Sequence, residues 1–386
     1  MKPDTTPRIC HISTVHPDND VRILYRECSG LAEAGYKICL IIPSDSKRQI
    51  NNVEILPLPH IKNRLFRMMI LPWLACWKAL RFSPSLCHYH DPELMPMGFV
   101  LRWVFQKKVV YDIHEAVHRQ IMSKAWIPRS MRSFAATLYR LTERVLTVGQ
   151  VLIVANEKSV DDYQRRVYRV QNYPCFAASG QSTVAMEKIE NSKPLLVYVG
   201  GVSEIRGSFV YLDLAADLAA AGLNFEMALI GQYDASIGNQ MRTRIDENHL
   251  HDKVRILGRL AFPEAMAYVR RADIGLCLLL PVPNYKFCLA TKILEYMMFR
   301  VPVLASDFDV WRKYVTGEDA GRMVDPCDRT AVFEACRAML EDTSMLKRMG
   351  ENGNRAIRKK YNWDNEFQVL LRCYEDILGG KKSISK

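Results

Sequence analysis

The segment richest in chemistry runs from Asn284 to Ser306, NYKFCLATKILEYMMFRVPVLAS. A loop ending at Thr291 leads into a helix that carries Lys292 and Glu295, followed by Pro302 and a strand-like apolar run. Three residues apart, Lys292 and Glu295 are neighbours on one face of the first turn. The free N–H groups and positive dipole end of such a turn suit a diphosphate. A carboxylate beside it can accept paired hydrogen bonds from ribose hydroxyls. The same spacing also describes a surface ion pair on an ordinary helix, and this segment alone leaves both readings open.

A second segment, Val197 to Gly207, reads VYVGGVSEIRG. A buried strand delivers Gly200 and Gly201, and Arg206 stands just before the next helix. Glycines allow close backbone approach, and a guanidinium fork matches phosphate oxygens. A Gly-Gly pair by itself usually means a turn. Gly231 and Gly258 each follow a strand and fit the same site, though neither is specific. In the first half of the chain, YDIHE projects Asp112, His114 and Glu115 from a strand end. The loop STVHPDNDVR brings Asp20 and Arg22, and His88, His90, Asp91 and Glu93 decorate another strand end. A lone histidine is more often structural than catalytic, but several polar loops at one sheet edge favour a shared site.

The elements that must position these residues follow from hydrophobic patterning. Short β-branched runs alternate with helix-length amphipathic runs, the pattern of parallel α/β sheets. Strands are expected at Arg8–Thr14, Tyr36–Ile42, Leu86–His90, Lys108–Ile113 and Val151–Ala155. Helices are expected near Arg22–Ala34, Arg64–Phe82, Leu94–Phe105 and Arg129–Val145. Cys175 to Ser192 is small and polar and reads as a linker. The alternation then restarts with strands at Leu195–Val199, Phe225–Ile230, Val254–Leu257, Ile274–Leu280 and Val301–Ala305. This divides the chain into a first domain at 1–174, a linker at 175–193, a second domain at 194–362 and a helix at 363–386 that crosses back. Two α/β domains facing each other form a cleft at the carboxyl ends of their strands, where ligands of this architecture bind.

Composition sets limits. At 386 residues the chain is too long for one core, so two domains are the default. Hydrophobic residues at 49% and charged residues at 25% describe an ordinary globular protein. A formal net charge of +11 calls for an anionic partner. No secretory signal and no membrane-spanning run is expected. The 11 cysteines are odd in number and never form Cys-x-x-Cys, which favours reduced thiols and a cytoplasmic setting over disulfides or structural zinc. Basic residues form no tract interleaved with aromatics, so nucleic acid is not an expected partner.

Together, KILEYM…VPVLAS, GGVSEIRG, HPDNDVR, HDPEL, YDIHE and the closing YNW at Tyr361–Trp363 resemble glycosyltransferase family 4, in the family's order, from about Arg8 to Leu378. The resemblance implies a GT-B fold of two Rossmann-like domains and a retaining, metal-independent transfer of sugar from a nucleotide-sugar donor. It implies a glycan or lipid-linked glycan acceptor, and a place in surface polysaccharide biosynthesis. By it, Glu295 holds the donor ribose, Arg206 binds the diphosphate and His114 lies near the transferred sugar, with no cofactor. The catalytic candidates are thus His114, Arg206 and Lys292. The donor candidates are Gly200, Gly201, Arg206, Gly231, Gly258, Lys292 and Glu295, and those on the acceptor side are Asp20, Arg22, His90, Asp91, Asp112 and Glu115. Two positions depart from the family: Phe287 stands eight residues before Glu295 where a second glutamate is common, and Gly201 stands where a basic residue is common. Lys292 can supply that missing charge.

Rival readings have weaker support. His114-Glu115-Ala116-Val117-His118 matches the zinc-protease pattern HExxH, which needs a helix. Here it follows the strand KVVYDI, and the pattern is read as chance. A dinucleotide oxidoreductase would want Gly-x-Gly-x-x-Gly after a first strand, and neither half has it. A sugar-nucleotide epimerase on the same fold, or a non-catalytic subunit of a polysaccharide assembly complex, stays open. On the acceptor side, Ile61 to Phe82 mixes Lys62, Arg64, Arg67, Lys78 and Arg81 with large apolar residues. Such a helix can lie in a membrane interface or simply pack a core. Basic residues in Met122 to Arg144 add to this face, which suggests a peripheral protein on an anionic inner membrane surface.

Overall fold

The computed structural model describes residues 6–114, 117–122, 127–155, 163, 167–175 and 193–379. The chain forms two compact units, residues 1–178 with 363–386, and residues 179–362. The expected linker falls almost wholly outside the described residues, as does Glu115.

The first unit is built on one sheet of β1 (Arg8–Ile12), β2 (Lys37–Pro43), β3 (Arg48–Ile50), β4 (Val53–Leu58), β5 (Leu86–Tyr89), β6 (Lys108–Ile113), β7 (Val151–Val154) and β8 (Val167–Arg169). Their order is β3-β4-β2-β1-β5-β6-β7-β8. Among the described strands only β3 runs antiparallel, on β4. Both faces are covered, which is why RICHI, KICLIIP and KVVYDI read as nearly continuous apolar runs. Cys10, Ile12, Cys39, Ile41, Cys87 and Tyr89 face the helix Arg64–Phe82 through its Leu71, Ala75 and Ala79. Residues one step along, Ile9, Ile38, Leu40, Leu86 and Val110, pack with Ile23, Leu24, Trp363, Leu370 and Tyr374. The C-terminal helix Trp363–Leu378 therefore belongs to the first unit, and its Trp363 N–H donates to Pro174 O at 2.9 Å.

Several elements differ from the sequence expectation for local reasons. The helix expected near Arg22–Ala34 opens as a π-type turn at Val21–Cys28 before an α-helical turn at Ser29–Glu33. Its wider winding brings residues five apart onto one side, and Arg22 Nε donates to Glu27 Oε1 at 2.9 Å. Strands β3, β4 and β8 were not expected, because they are short or broken by Glu54 and Pro57.

The second unit carries β9 (Leu195–Val199), β10 (Glu226–Ile230), β11 (Val254–Gly258), β12 (Ile274–Cys277), β13 (Val303–Ser306) and the unforeseen β14 (Gly321–Val324). Their order is β11-β10-β9-β12-β13-β14, and the pairings are parallel. β12 stops three residues early because Leu278 N–H turns to Tyr211 Oη at 3.1 Å. β13 starts late because Val301 N–H closes onto Tyr296 O and Pro302 has no N–H to give.

In each sheet the strand order reverses once, between β1 and β5 and between β9 and β12. At such a point the connections leave in opposite directions and a crevice opens beyond the carboxyl ends. The polar loops of the first unit and the glycine loops of the second leave the sheets at these two points. The helix Thr291–Met298 is fixed to its sheet by Tyr296, whose Oη accepts from Val199 N–H at 3.1 Å and donates to Leu276 O at 3.2 Å. Only glycine fits opposite that ring: a Cβ at Gly275 would lie 2.4 Å from Tyr296 ring atoms. Gly275→Ala is expected to lower stability by about 1–3 kcal/mol in urea unfolding, as overpacking does; an unchanged midpoint would contradict this packing.

Candidate functional site

In the second unit, β9 ends at Gly200 and Gly201, and two cations crowd them. A Cβ at Gly200 would stand 2.9 Å from Lys292 Nζ, and one at Gly201 would stand 2.8 Å from Arg206 Nη1. A basic side chain at 201 would thus have to displace the end of the Arg206 guanidinium. Gly231, with φ of 154°, packs so closely that a Cβ would fall 1.7 Å from Gly200 O. Its N–H donates to Gly258 O at 2.7 Å. Gly200, Gly201, Arg206, Gly231, Gly258 and Lys292 therefore meet at one corner of the sheet. Glu295 is half-buried one turn beyond Lys292 on the same helix.

Tyrosines that carried no signal in the sequence hold the two cations. Arg206 Nε donates to Tyr285 Oη at 3.2 Å, on the short helix Pro283–Phe287 that also carries Phe287. Lys292 Nζ lies 4.6 Å from the Tyr198 ring centroid and 3.5 Å from its hydroxyl, which itself donates to Gly201 O at 2.8 Å. Among the described residues no carboxylate pairs with Arg206 or Lys292. The corner presents two positive groups, backbone without side chains and hydroxyls, a set suited to a polyphosphate.

The first unit carries the opposite arrangement, a buried anion with many donors. Strand alternation puts His11 of β1, His88 of β5 and Asp112 of β6 on the sheet face that Tyr374 also covers. Asp112 accepts from Arg22 Nη2 at 2.9 Å and lies 3.2 Å from His114 Nε2 and 3.4 Å from His90 Nδ1. Burial pushes its carboxyl up, yet the Arg22 charge and the two imidazoles hold it well below the usual range. Burial raises Glu27 to about 8 against the pull of Arg22, so it is a far weaker acid than Asp112 beside it.

Not every acceptor-side candidate is available to a ligand. Arg22 is buried between Glu27 and Asp112, and the Asp20 carboxylate is spent capping the π-type turn through Arg22 N–H and Ile23 N–H, both at 2.9 Å. Arg22 thus supports the site from within, and Asp20 Oδ1 holds the turn that presents it. Asp91, also buried, takes Thr14 N–H at 2.6 Å and Ser13 Oγ at 2.9 Å, and lies 3.1 Å from His16 Nδ1. Its carboxyl is pushed up by burial but held at about 2 by those partners, His16 foremost. His114 remains partly open, with a side chain 23% exposed. It precedes the helix Val117–Ile121 that carries His118, so the HExxH pair does not share a helix.

Two groups offer ligand atoms within 4.8 Å of one another and could hold a metal: His11, Glu27, His88 and His90, and His90, Asp112 and His114. In both, imidazole nitrogens already face one another or a carboxylate at hydrogen-bond distance. All 11 cysteines are free thiols.

Residues 21–173 match the family model described as Glycosyltransferase Family 4, and residues 183–356 match that of Glycosyl transferases group 1. Alpha-D-kanosaminyltransferase of Streptomyces kanamyceticus is 26% identical over 187 residues, 48% of this chain and 47% of that protein. The match to that relative thus spans about half its length. Phosphatidyl-myo-inositol mannosyltransferase of Mycobacterium leprae (strain TN) is 24% identical over 337 residues, 81% of this chain and 82% of the relative. Among solved structures, Anabaena HepE in complex with UDP superposes with a TM-score of 0.70 at 12% identity, covering 96% of this chain and 100% of that one. The two family matches between them take in both parallel-sheet units, and the chain is a glycosyltransferase of the family 4 type with the GT-B fold.

Proposed function

We propose that the protein transfers a sugar, with retention, from a nucleotide-sugar to a glycan or lipid-linked glycan acceptor in surface polysaccharide biosynthesis. The observation that carries this reading is the convergence of Arg206 and Lys292 on Gly200 and Gly201, with no carboxylate partner among the described residues. When the glycosidic bond breaks, negative charge gathers on the leaving diphosphate, and preorganised cations stabilise it. Each such contact contributes roughly 1.5–3 kcal/mol. Glu295 binds the donor ribose. His114 lies beside the transferred sugar, and the acceptor hydroxyl attacks from the face the diphosphate leaves, passing its proton to a phosphate oxygen. No enzyme nucleophile is needed. Two fixed cations supply the charge a metal ion would otherwise bring, so activity is expected to survive EDTA.

Arg206→Ala, Glu295→Ala and Lys292→Ala are each expected to lower transfer at least about tenfold, or ~1.4 kcal/mol of barrier, with unchanged thermal unfolding. Near-wild-type transfer by any of the three removes that residue from the site. UDP-sugars, first because HepE was solved with UDP, then GDP- and ADP-sugars are to be screened for thermal protection. Incubation with and without acceptor separates transfer from isomerisation and from binding alone.

The acceptor side supports a membrane location. The helix Arg64–Phe82 packs through Leu71, Ala75, Ala79 and Phe82 but leaves Leu65 71%, Met69 69% and Trp73 49% exposed. Arg81 lies over the Trp77 ring at 3.9 Å, and Phe134, Leu138 and Leu141 are exposed on the helix Arg129–Leu146. No described helix is long and apolar enough to cross a membrane. Exposed apolar side chains among basic ones fit an anionic interface, and the mannosyltransferase relative is named for a phosphatidyl acceptor. The protein is expected to float with liposomes containing anionic lipid and not with neutral ones, and Trp73→Ser is expected to weaken this. Flotation indifferent to lipid charge would overturn the membrane reading.

A further inference from the structure

We propose that His11, His88, His90 and Glu27 form a closed structural zinc site in the first unit, one that takes no part in the transfer of sugar.

The atoms of this cluster divide into outward and inward ones, and every outward atom has a protein partner. His11 Nε2 lies 3.0 Å and His88 Nδ1 2.6 Å from the same Tyr374 Oη. His90 Nδ1 lies 3.2 Å from His114 Nε2, and Glu27 Oε1 accepts from Arg22 Nε at 2.9 Å. The inward atoms have no such match. Glu27 Oε2 and His88 Nε2 are buried without a hydrogen-bond partner. His11 Nδ1 and His90 Nε2 face each other at 3.0 Å, where one hydrogen serves two nitrogens. A carboxylate oxygen and an imidazole nitrogen left orphaned inside a fold are costly, and a cation satisfies both at once.

The spacing fits such an ion. Glu27 Oε2 is 3.9 Å from both His11 Nδ1 and His90 Nε2, which are themselves 3.0 Å apart. One point inside that triangle is about 2.1 Å from all three atoms, the length of a zinc–nitrogen or zinc–oxygen bond. His88 completes the set of four, with a ligand atom within 4.8 Å of each of the others. Three imidazoles and a carboxylate suit zinc. Metal-binding imidazoles are held by a partner on their other nitrogen, which is what Tyr374 and His114 provide. The neighbouring set of His90, Asp112 and His114 lacks this pattern, since it has three members and its carboxylate already accepts from Arg22 Nη2.

Burial decides the role of the ion. All four side chains are buried, so no coordination position is open to water or substrate, as in structural sites. His11 stands on β1, His88 on β5, His90 just beyond it and Glu27 on the π-type turn, while Tyr374 comes from the C-terminal helix. An ion here ties the turn, and through Tyr374 the returning helix, to the two central strands. Closure also slows exchange, so the ion is expected to stay in place through EDTA treatment.

The full chain, expressed with zinc in the medium, purified without a metal-affinity tag and dialysed against EDTA, is expected to retain one zinc per chain by elemental analysis. Folded protein left with only trace zinc overturns the proposal, and water then meets the inward atoms. X-ray absorption at the zinc edge is expected to show nitrogen and oxygen at about 2.0–2.1 Å with imidazole behind them. Sulfur in that shell would put the ion on the free cysteines and sink the assignment. Glu27→Gln, nearly unchanged in shape, is expected to lose the zinc and to unfold at lower temperature, whereas His249→Asn on the surface keeps both. Full zinc content in Glu27→Gln would remove Glu27 from the site. Tyr374→Phe is expected to weaken zinc about 10–100-fold against a competing chelator, and unchanged affinity would contradict its supporting role. Should Glu27→Gln not fold, the metal content and absorption spectrum of the unaltered chain decide.

Discussion

Asp112 keeps a negative charge at a place with no solvent exposure, and the site of the first unit is organised around satisfying it. A bare buried carboxylate would instead take up a proton. Here Arg22 supplies the compensating charge and donates a hydrogen bond, and two imidazole nitrogens lie 3.2 and 3.4 Å from the carboxylate. Much else follows from that pair. The π-type turn exists where Arg22 must be presented inward and bridged to Glu27, and Asp20 caps the turn that carries it. Burial raises the Glu27 pKa, and the nearby Asp112 charge adds to the rise against the pull of Arg22.

The second unit solves the complementary problem. Its two cations are held by hydroxyls, a ring face and close-packed glycine backbone, none of which cancels their charge. A protein carboxylate at that corner would compete with an anionic ligand, and an unpaired surface lysine would wander. Tyr198 and Tyr285 restrict the cations without neutralising them. The shared plan is the strand-order reversal. It brings one anion-centred cluster and one cation-centred corner to the carboxyl edges of two sheets that have no close sequence repetition.

Much of this was legible in the residue order. Alternation of apolar strands and amphipathic helices marks both sheets, because a parallel strand buried on both faces must be apolar along its length. The corner where Gly200, Gly201, Arg206 and Lys292 meet was identifiable because glycine, arginine and lysine at strand ends have few bland explanations when they occur together. The short strands β3, β8 and β14 were not legible, since three or four residues carry too little periodicity. Tyr198, Tyr285 and Tyr374 were also invisible, because a tyrosine in an apolar run looks like core until its hydroxyl acquires a partner far along the chain.

What the residue order determined by itself was the kind of chemistry and the edge of the sheet where it sits, since both depend on side-chain type and local period. Tertiary structure alone decided which polar groups stand partly open and which are internal supports. Arg22 and Arg206 are the same residue type at loop ends, yet one is buried against Asp112 and the other stands over Gly201 beside tyrosine hydroxyls. That distinction depends on desolvation and on contacts between residues tens to hundreds of positions apart, and neither quantity exists until the chain has folded.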